Sequence, residues 1–519
     1  MRPRLIALTA LGALLAPAVG LAGDFIDTTL TFVAGDDNVM AGAGETIPSS
    51  PRGDFRPRQG NSLFFDNYDT RNTGEETRTE LVLYKAFEGY FSKVTPEAAM
   101  VIQWDANRTA ADNAKYEETG SRRSLGGMRD DGSYLSLRVD VGGSAHDALV
   151  VVLFPFDSDR FRLGYSYELT WGGRQSFVLA REVPGVRLSY ERDDGYAFLG
   201  VKTARTQVFT AEPDDPQRDE NETVYGVLGG GGVDLGPRLR VELGGGFFQK
   251  GTIPLDRGTL EGTPLAQVGA SGQITWYDGI KPQRSVDTKL FRNLGDADLK
   301  ARSFAAKPLG YLISAEGTWT SQVLEDADAL GESTRDHGYA ADLNAKIEVA
   351  HWTFTGDVVV RSLEFLVQDT PGLFPFSTLP EDLDASPEWF TAIGVGYQIE
   401  SLRMVPGLTL GVQSPASARV DQIGSDGQIE QANLIVRKTK NVLGQTFVEP
   451  TPLPPGVPVH LIYSARLALQ SHLSDLLTLV AETQLTWNEN LVSNDPERGV
   501  RAFDSPLVLG LSVLAQARF

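Results

Sequence analysis

The sequence contains no cysteine among its 519 residues. A disulfide framework, a cysteine–zinc site, a thiol nucleophile and a lipid-modified N-terminal cysteine are therefore excluded. Histidine is scarce, with five residues, and none of them stands in an H-E-x-x-H pattern or at another metal-ligand spacing. The sequence predicts no cofactor and no metal site.

Long apolar segments are also lacking once the N-terminus is passed, and the mean hydropathy is −0.17. A bundle of membrane-spanning helices is excluded, because each helix would need about 20 mostly apolar residues. Positive charge is in deficit, since 47 Lys+Arg stand against 68 Asp+Glu and the net charge is −21. This acidity excludes a nucleic-acid partner, whose phosphates require a basic face.

The N-terminus has the pattern of an export signal. Arg2 and Arg4 precede an apolar run over 5–15, and the small residues Gly20 and Ala22 follow. A positive start, a short apolar run and a small-residue cleavage site are typical of a secretory signal peptide. We expect residues 1–22 to be removed and residues 23–519 to form the mature, exported protein.

The mature chain shows a hydrophobic period of two. The clearest case is 161–171, where aromatic and aliphatic residues alternate with polar ones such as Arg162 and Glu168. Alternation over eleven residues predicts a β-strand with one apolar face, and a tilted strand crosses a bilayer in about 9–11 residues. Alternation alone fits a soluble sandwich as well as a membrane barrel, so the choice between them depends on another feature.

That feature is the C-terminus. Every second residue counted back from Phe519 to Leu507 is apolar. The segment resembles the terminal strand of Gram-negative outer-membrane β-barrels, which typically ends in Phe and is read by the assembly machinery. The resemblance implies an all-β fold, a transmembrane antiparallel up-and-down β-barrel in the cell outer membrane. It also implies that Phe519 is the assembly signal, and that outer-membrane lipid, lipopolysaccharide and the barrel assembly machinery are partners.

The number of strands is predicted from the alternating segments. Because single-chain bacterial barrels have even strand numbers, we expect about 18 strands, with 16 or 20 as alternatives. An up–down assignment does not close with all twenty candidates, so at least one of them is wrong. The candidates are 25–34, 79–88, 97–106, 132–142, 147–156, 160–171, 185–192, 195–203, 222–234, 237–250, 266–278, 309–321, 338–349, 351–363, 388–400, 406–414, 427–439, 460–470, 476–488 and 506–519.

In a membrane barrel the polar strand faces line the lumen. Positive and negative residues are balanced on these faces, which does not favour a strongly anion-selective pore. The charges either act on solutes or pair across strands and brace the wall. The predicted lumen-lining residues are Arg138, Asp140, Arg162, Glu168, Arg238, Arg240, Glu242, Asp342, Lys346, Asp357, Arg361 and Arg466.

Segment 279–308 departs from the acidic character of the chain, with seven Lys or Arg residues against three Asp. It is a candidate constriction loop folded into the lumen, and equally a surface loop or a periplasmic turn that touches a partner.

The predicted function is that of a porin-like channel that passes small hydrophilic solutes through a charged, water-filled lumen. The alternative is a non-enzymatic barrel component of a multiprotein envelope or polysaccharide-export machine, with envelope proteins as partners. Enzymatic activity is not expected. Asp193-Asp194 and Asp336-His337 are similar to the catalytic pairs of outer-membrane omptin proteases, but the similarity ends at these dipeptides.

Overall fold

A computed structural model describes most of the mature chain. The predicted signal peptide, residues 1–22, lies outside the described residues. The described ranges are 27–40, 45–46, 55–56, 75–87, 93–105, 128–142, 147–166, 169–173, 176–177, 182–207, 221–252, 262–282, 304, 306–329, 331–368, 378–379, 383–423, 429–440, 446–495 and 500–519.

Eighteen long antiparallel strands form one closed sheet. In chain order they are β1 (Asp27–Asp36), β2 (Glu75–Ala86), β3 (Val94–Asp105), β4 (Tyr134–Asp140), β5 (Ala148–Phe154), β6 (Gly185–Arg192), β7 (Gly195–Gln207), β8 (Asn221–Asp234) and β9 (Leu239–Thr252). The others are β10 (Pro264–Asp278), β11 (Lys307–Glu325), β12 (Ser333–Ala350), β13 (Trp352–Arg361), β14 (Glu388–Tyr397), β15 (Met404–Ser414), β16 (Ile462–His472), β17 (Leu477–Trp487) and β18 (Leu507–Arg518). A short segment, Met128–Asp130, extends β4 along β3.

Each strand pairs with its neighbours in sequence, and β1 closes the barrel on β18. This last pairing runs from Thr29↔Arg518 to Asp36↔Leu511. Closure leaves no strand edge to face hydrocarbon, where unpaired backbone groups are very costly. The first strand begins and the last strand ends at the same end of the barrel, where most turns are short. We call it the periplasmic end, because outer-membrane barrels have short periplasmic turns and longer extracellular loops.

The outer surface of the barrel is apolar between two rings of aromatic residues. Trp389 and Tyr397 mark the two rings on β14, and the eight-residue step between them covers about 26 Å along the strand. Because barrel strands are tilted by about 35–45°, this step spans about 20 Å of height, close to the apolar band of about 25 Å in outer-membrane barrels. The extracellular ring contains Trp104, Tyr225, Trp319, Tyr339, Trp389, Tyr463 and Trp487, and the periplasmic ring contains Tyr190, Trp276, Trp352, Phe354, Tyr397 and Phe519, all substantially exposed. The chain is therefore a membrane-spanning β-barrel.

The expected strand number of 18 is confirmed. Eighteen of the twenty candidate segments correspond to β1–β18, and the other two are wrong as barrel strands. Segment 160–171 lies in a connection between β5 and β6, and its described residues form a single bridge, Leu163↔Trp171. Segment 427–439 does form a strand, Ile429–Lys440, but this strand belongs to a separate sheet. Removing both segments allows the up–down order to close.

The extracellular connections contain further secondary structure, including two short strand pairs, Glu45–Thr46 with Phe55–Arg56 and Val492–Asp495 with Val500–Phe503. A helix, α1 (Leu363–Gln368), follows β13. A four-stranded sheet contains Ala385–Ser386, Ala416–Ile423, Ile429–Lys440 and Thr446–Pro452, and Leu363 and Leu366 of α1 pack against Ala416, Ala418 and Val436 of this sheet. No helix within the described ranges is long and apolar enough to cross a membrane.

Candidate functional site

The connection between β5 and β6, residues 155–184, folds into the barrel, and we call it the inner loop. Its aromatic and aliphatic side chains are buried, among them Phe161, Leu163, Leu169 and Trp171. Phe161 packs against the inward-facing Phe154 and Phe198, with ring centroids 6.0 and 5.9 Å apart. The apolar face that predicted a lipid-facing strand over 161–171 therefore faces the inner wall of the barrel.

Glycines on the inner wall make room for this loop. The positions Gly200, Gly226, Gly244, Gly246 and Gly269 form a surface that we call the glycine bed. A Cβ atom at Gly246 would lie 2.9 Å from Leu163 Cδ1, and one at Gly269 would lie 2.8 Å from the Trp171 ring. A Cβ at Gly200 would overlap the Phe161 ring. Side chains larger than hydrogen at these positions would displace the loop. This requirement explains why glycine occupies them.

A buried lysine holds the inner loop to the wall. Lys202 on β7 is fully buried, and its Nζ donates hydrogen bonds to the carbonyls of Ser158 at 2.8 Å and Gly172 at 3.0 Å. The ammonium also lies 5.6 Å from the centre of the Phe161 ring. Hydrogen bonds from a charged donor are stronger than neutral ones, so Lys202 fixes both arms of the loop at once.

Two further wall residues bind the loop through hydrogen bonds. The indole Nε1 of Trp171 donates to Ser271 Oγ of β10 at 2.9 Å. The carboxylate of Glu316 on β11 accepts the backbone N–H groups of Tyr165, at 2.9 Å, and of Ser166. Burial, followed by the negative charges of Glu242 and Glu316, raises the pKa of the Tyr165 phenol above its usual value. The phenol therefore stays neutral well above physiological pH.

The inner loop packs along much of the barrel wall. It starts between β5 and β6, and the side chain of Leu169 packs with Ala340 of β12, Val359 of β13, and Phe390 and Ala392 of β14. The inward faces of β2–β4 also belong to the core beside the loop, where Val82, Ala99 and Tyr134 are buried in one cluster with Phe161. The wall formed by β15–β18 lies on the other side of the barrel, and there the inward side chains of Thr409, Arg466, Gln470 and Glu482 are partly exposed. The loop thus covers one side of the interior and leaves the other accessible to water.

The loop divides the predicted lumen-lining charges into two groups. Glu242 is 1% exposed and Asp342 is 7% exposed, and Arg361 is buried in an ion pair with Glu388. The side chains of Asp140, Lys346 and Arg466 are 44%, 42% and 22% exposed. Registers place all of these residues on the inner face of the barrel.

Several of the buried charges have partners within the wall. Tyr196 donates its hydroxyl to Glu242 at 2.7 Å, and Asn344 donates its amide to Asp357. Arg240 forms a two-pronged ion pair with Asp234 at 2.7 and 2.8 Å. These groups brace neighbouring strands, since a buried charge without a partner is very costly.

The accessible charges also form pairs, but in contact with water. Arg138 pairs with Glu191 at 3.1 Å and with Asp140 at 3.4 Å. Lys346 pairs with Glu348 at 3.1 Å, and Arg466 lies 3.9 Å from Glu482. Their contact with solutes stays a prediction.

Two predicted lumen residues have other positions, and a third is not among the described residues. Arg162 lies on the inner loop, where it pairs with Asp159, and is therefore not on a barrel strand as expected. Arg238 lies in the turn before β9 at the periplasmic end, where its exposed side chain pairs with Asp278 at 2.7 Å. Glu168 lies outside the described residues. Lys202 and the glycine bed were missed, although the inward alternation of Phe198, Gly200 and Lys202 is visible in the sequence.

The basic segment 279–308 connects β10 and β11 at the periplasmic end. Residues 283–303 and 305 lie outside the described ranges, so its role as a constriction loop, a surface loop or a periplasmic turn stays a prediction. Phe304 is buried against the ring of His472 on β16, with centroids 5.6 Å apart. Phe519 closes the C-terminus by exchanging backbone hydrogen bonds with Thr28 on β1, and its role as an assembly signal stays a prediction.

No known family model matches this sequence, and no curated protein matches it. Solved outer-membrane channels have similar folds. OccAB2 from Acinetobacter baumannii has a TM-score of 0.43 at 7% identity, covering 95% of this chain and 97% of that one. OpdK from Pseudomonas aeruginosa, in complex with vanillate, has a TM-score of 0.40 at 7% identity, with 95% and 98% covered. OmpF from Salmonella typhi, in complex with daunomycin, has a TM-score of 0.35 at 9% identity, with 95% and 97% covered. The barrel assignment rests on the strand registers of this chain.

Proposed function

We propose that this protein is an outer-membrane channel through which small hydrophilic solutes diffuse. The observation that carries the proposal is the contrast between the two sides of the barrel interior. Charged residues beneath the inner loop are buried, whereas those on the opposite wall and near the periplasmic mouth are accessible to water. Water-accessible charges inside a closed barrel are typical of a hydrated channel.

The solute path runs between the inner loop and the wall formed by β15–β18. Arg162 and Asp159 supply both signs of charge on the loop side, and Arg466 and Glu482 supply both signs on the wall. A path lined by both signs favours polar solutes over apolar ones and discriminates only weakly between cations and anions. We therefore infer a general channel for hydrophilic solutes without strong charge selectivity.

The natural absence of cysteine makes a direct accessibility test possible. We expect Arg466→Cys, studied in planar bilayers, to lose conductance when a charged, membrane-impermeant thiol reagent is added. The matched control is Leu467→Cys, the adjacent residue, which is exposed on the outer face of the same strand. Lipid shields that position, so the reagent leaves its current unchanged.

Absence of ion conductance in the reconstituted wild-type protein, despite correct folding, would contradict the proposal. That result would favour the alternative of a non-conducting barrel in an envelope machine. Equal modification of both cysteine variants would show that the inward and outward faces are wrongly assigned.

A further inference from the structure

Helix α1 begins where β13 ends, and a serine fixes its first turn to the barrel wall. Ser362 is buried, and its backbone N–H donates a hydrogen bond to the carbonyl of Tyr339 on β12 at 2.9 Å. Its Oγ accepts the backbone N–H groups of Tyr339 and Phe365, each at 3.2 Å. A serine that accepts an N–H group of the first helical turn is a favourable N-cap. The start of α1 is therefore tied to both β12 and β13.

A glycine allows the helix to approach the inner face of β12. Gly338 has the same parity along β12 as Ala340 and Asp342, which belong to the inward face. A Cβ atom at Gly338 would lie 2.7 Å from both the N and the Cα atoms of Phe365. A larger residue at this position would push the helix away. Helix α1 therefore lies against the inside of the wall, at the extracellular end of the barrel.

The apolar side chains of α1 enter two separate buried clusters. Phe365 belongs to the cluster that contains Leu169 of the inner loop and the wall residues Ala340, Val359, Phe390 and Ala392. Leu363 and Leu366 pack instead with the four-stranded sheet of the extracellular connections, which we call the extracellular sheet. Residues three apart share a helix face, whereas the residue between them points elsewhere. Helix α1 therefore lies between the inner loop and the extracellular sheet.

The helix depends on both clusters for its own stability. It has six residues, and isolated helices shorter than about 12–15 residues are marginal in water. A loss of packing at one cluster therefore weakens the helix and, with it, the contacts at the other cluster. We infer that α1 couples the extracellular sheet to the inner loop. The docked sheet holds Phe365 in place, Phe365 holds the part of the loop around Leu169 against the wall, and displacement of the sheet at the cell surface releases that part.

This coupling gives the extracellular part of the protein control over the width of the solute path, because the inner loop forms one side of that path. The effect on solute passage rests on the proposed channel function. The coupling between sheet and loop does not, since it can be measured without any ionic current. The two proposals can therefore fail separately.

Because the sequence has no cysteine, a single introduced thiol can report displacement of the loop in the full chain. Leu169 is fully buried, so a Leu169→Cys reporter reacts with a membrane-impermeant maleimide only when this part of the loop leaves the wall. In the reporter protein we expect Leu366→Ala, which removes packing against the extracellular sheet, to raise the reaction rate about tenfold, within the usual range for coupled sites. Val436→Ala removes the sheet side of the same cluster and should raise the rate as well.

A matched control and a double substitution test the route of the coupling. Leu265→Ala is the same change at a buried leucine of β10 that belongs to neither cluster, and it should leave the rate unchanged. Phe365→Ala should raise the rate by loosening the cluster around the reporter, and Leu366→Ala should then add no further increase. Heat-modifiable migration shows that each variant keeps a folded barrel, and if Leu366→Ala does not fold, Val436→Ala decides the test.

An unchanged labelling rate in folded Leu366→Ala and Val436→Ala proteins would overturn the proposal. An equal increase in Leu265→Ala would also overturn it, because general loosening of the protein would then explain the effect. If the two increases multiply in the double variant, the sheet acts on the loop without α1, and the proposal is wrong. A raised labelling rate with unchanged single-channel conductance would support the coupling and contradict the proposed solute path.

Discussion

Replacing Lys202 by Met should release the inner loop while leaving the barrel closed. Methionine occupies the volume of the lysine stem but donates no hydrogen bond, so the carbonyls of Ser158 and Gly172 lose their partner. Each buried acceptor left unpaired costs about 1–3 kcal/mol. For the two carbonyls together the docked loop loses at least about 2 kcal/mol of stability. This loss corresponds to about a thirtyfold rise in the population of the displaced loop.

Limited proteolysis measures this population. Arg160 and Arg162 lie in the inner loop, so trypsin should cut the folded Lys202→Met protein there about thirtyfold faster than the wild type. Single-channel conductance should rise as the loop leaves the lumen. The control is Lys346→Met, the same change at an inward lysine that pairs with Glu348 and does not touch the loop. Unchanged cleavage and conductance in Lys202→Met would refute the anchoring role of Lys202.

Three other predictions follow from the same contacts. Leu467→Arg places a charge on the lipid face and should cost about 2–4 kcal/mol of barrel stability in urea unfolding. Leu169→Arg should disturb only the loop, and equal destabilisation of the barrel by the two variants would contradict the assigned faces. Gly246→Ala should increase tryptic cleavage of the loop, because the new Cβ would lie 2.9 Å from Leu163. Gly317→Ala has open space around its Cβ and should leave cleavage unchanged. Identical cleavage of the two variants would contradict the role of the glycine bed in seating the loop. The pKa of Tyr165 is raised above the ordinary value of 10.0. Above pH 10 the phenol therefore keeps its proton in the folded loop but loses it in the displaced loop. The stability of the docked loop is fully present below pH 10 and falls as the pH rises above it. Conductance should therefore increase as the pH rises above about 10. A Tyr165→Phe protein that shows the same increase would exclude this group.

The strand order was predictable from the sequence because alternation of apolar and polar residues indicates a segment whose two faces lie in different environments. The alternation does not indicate which environment each face meets. Phe161, Leu163, Leu169 and Trp171 bury their apolar side chains within the protein, although the same pattern on β16 faces lipid. The distinction depends on the glycine bed, whose members come from β7–β10 and become one surface only after those strands pair.

The candidate site was predictable in part. The inward direction of Arg138 or Glu242 follows from the parity of its strand, because successive side chains alternate across a sheet. Which of the two is covered depends on the path of the inner loop, a contact between parts of the chain that are distant in sequence.

The contacts of Leu169 have a consequence for the order of assembly. Its partners on β12, β13 and β14 are synthesised long after the inner loop, and contacts between distant chain segments form slowly. Until those strands are in place, the apolar side chain of Leu169 stays uncovered, and such surface promotes aggregation. Docking of this part of the loop is therefore a late event that follows the pairing of most barrel strands.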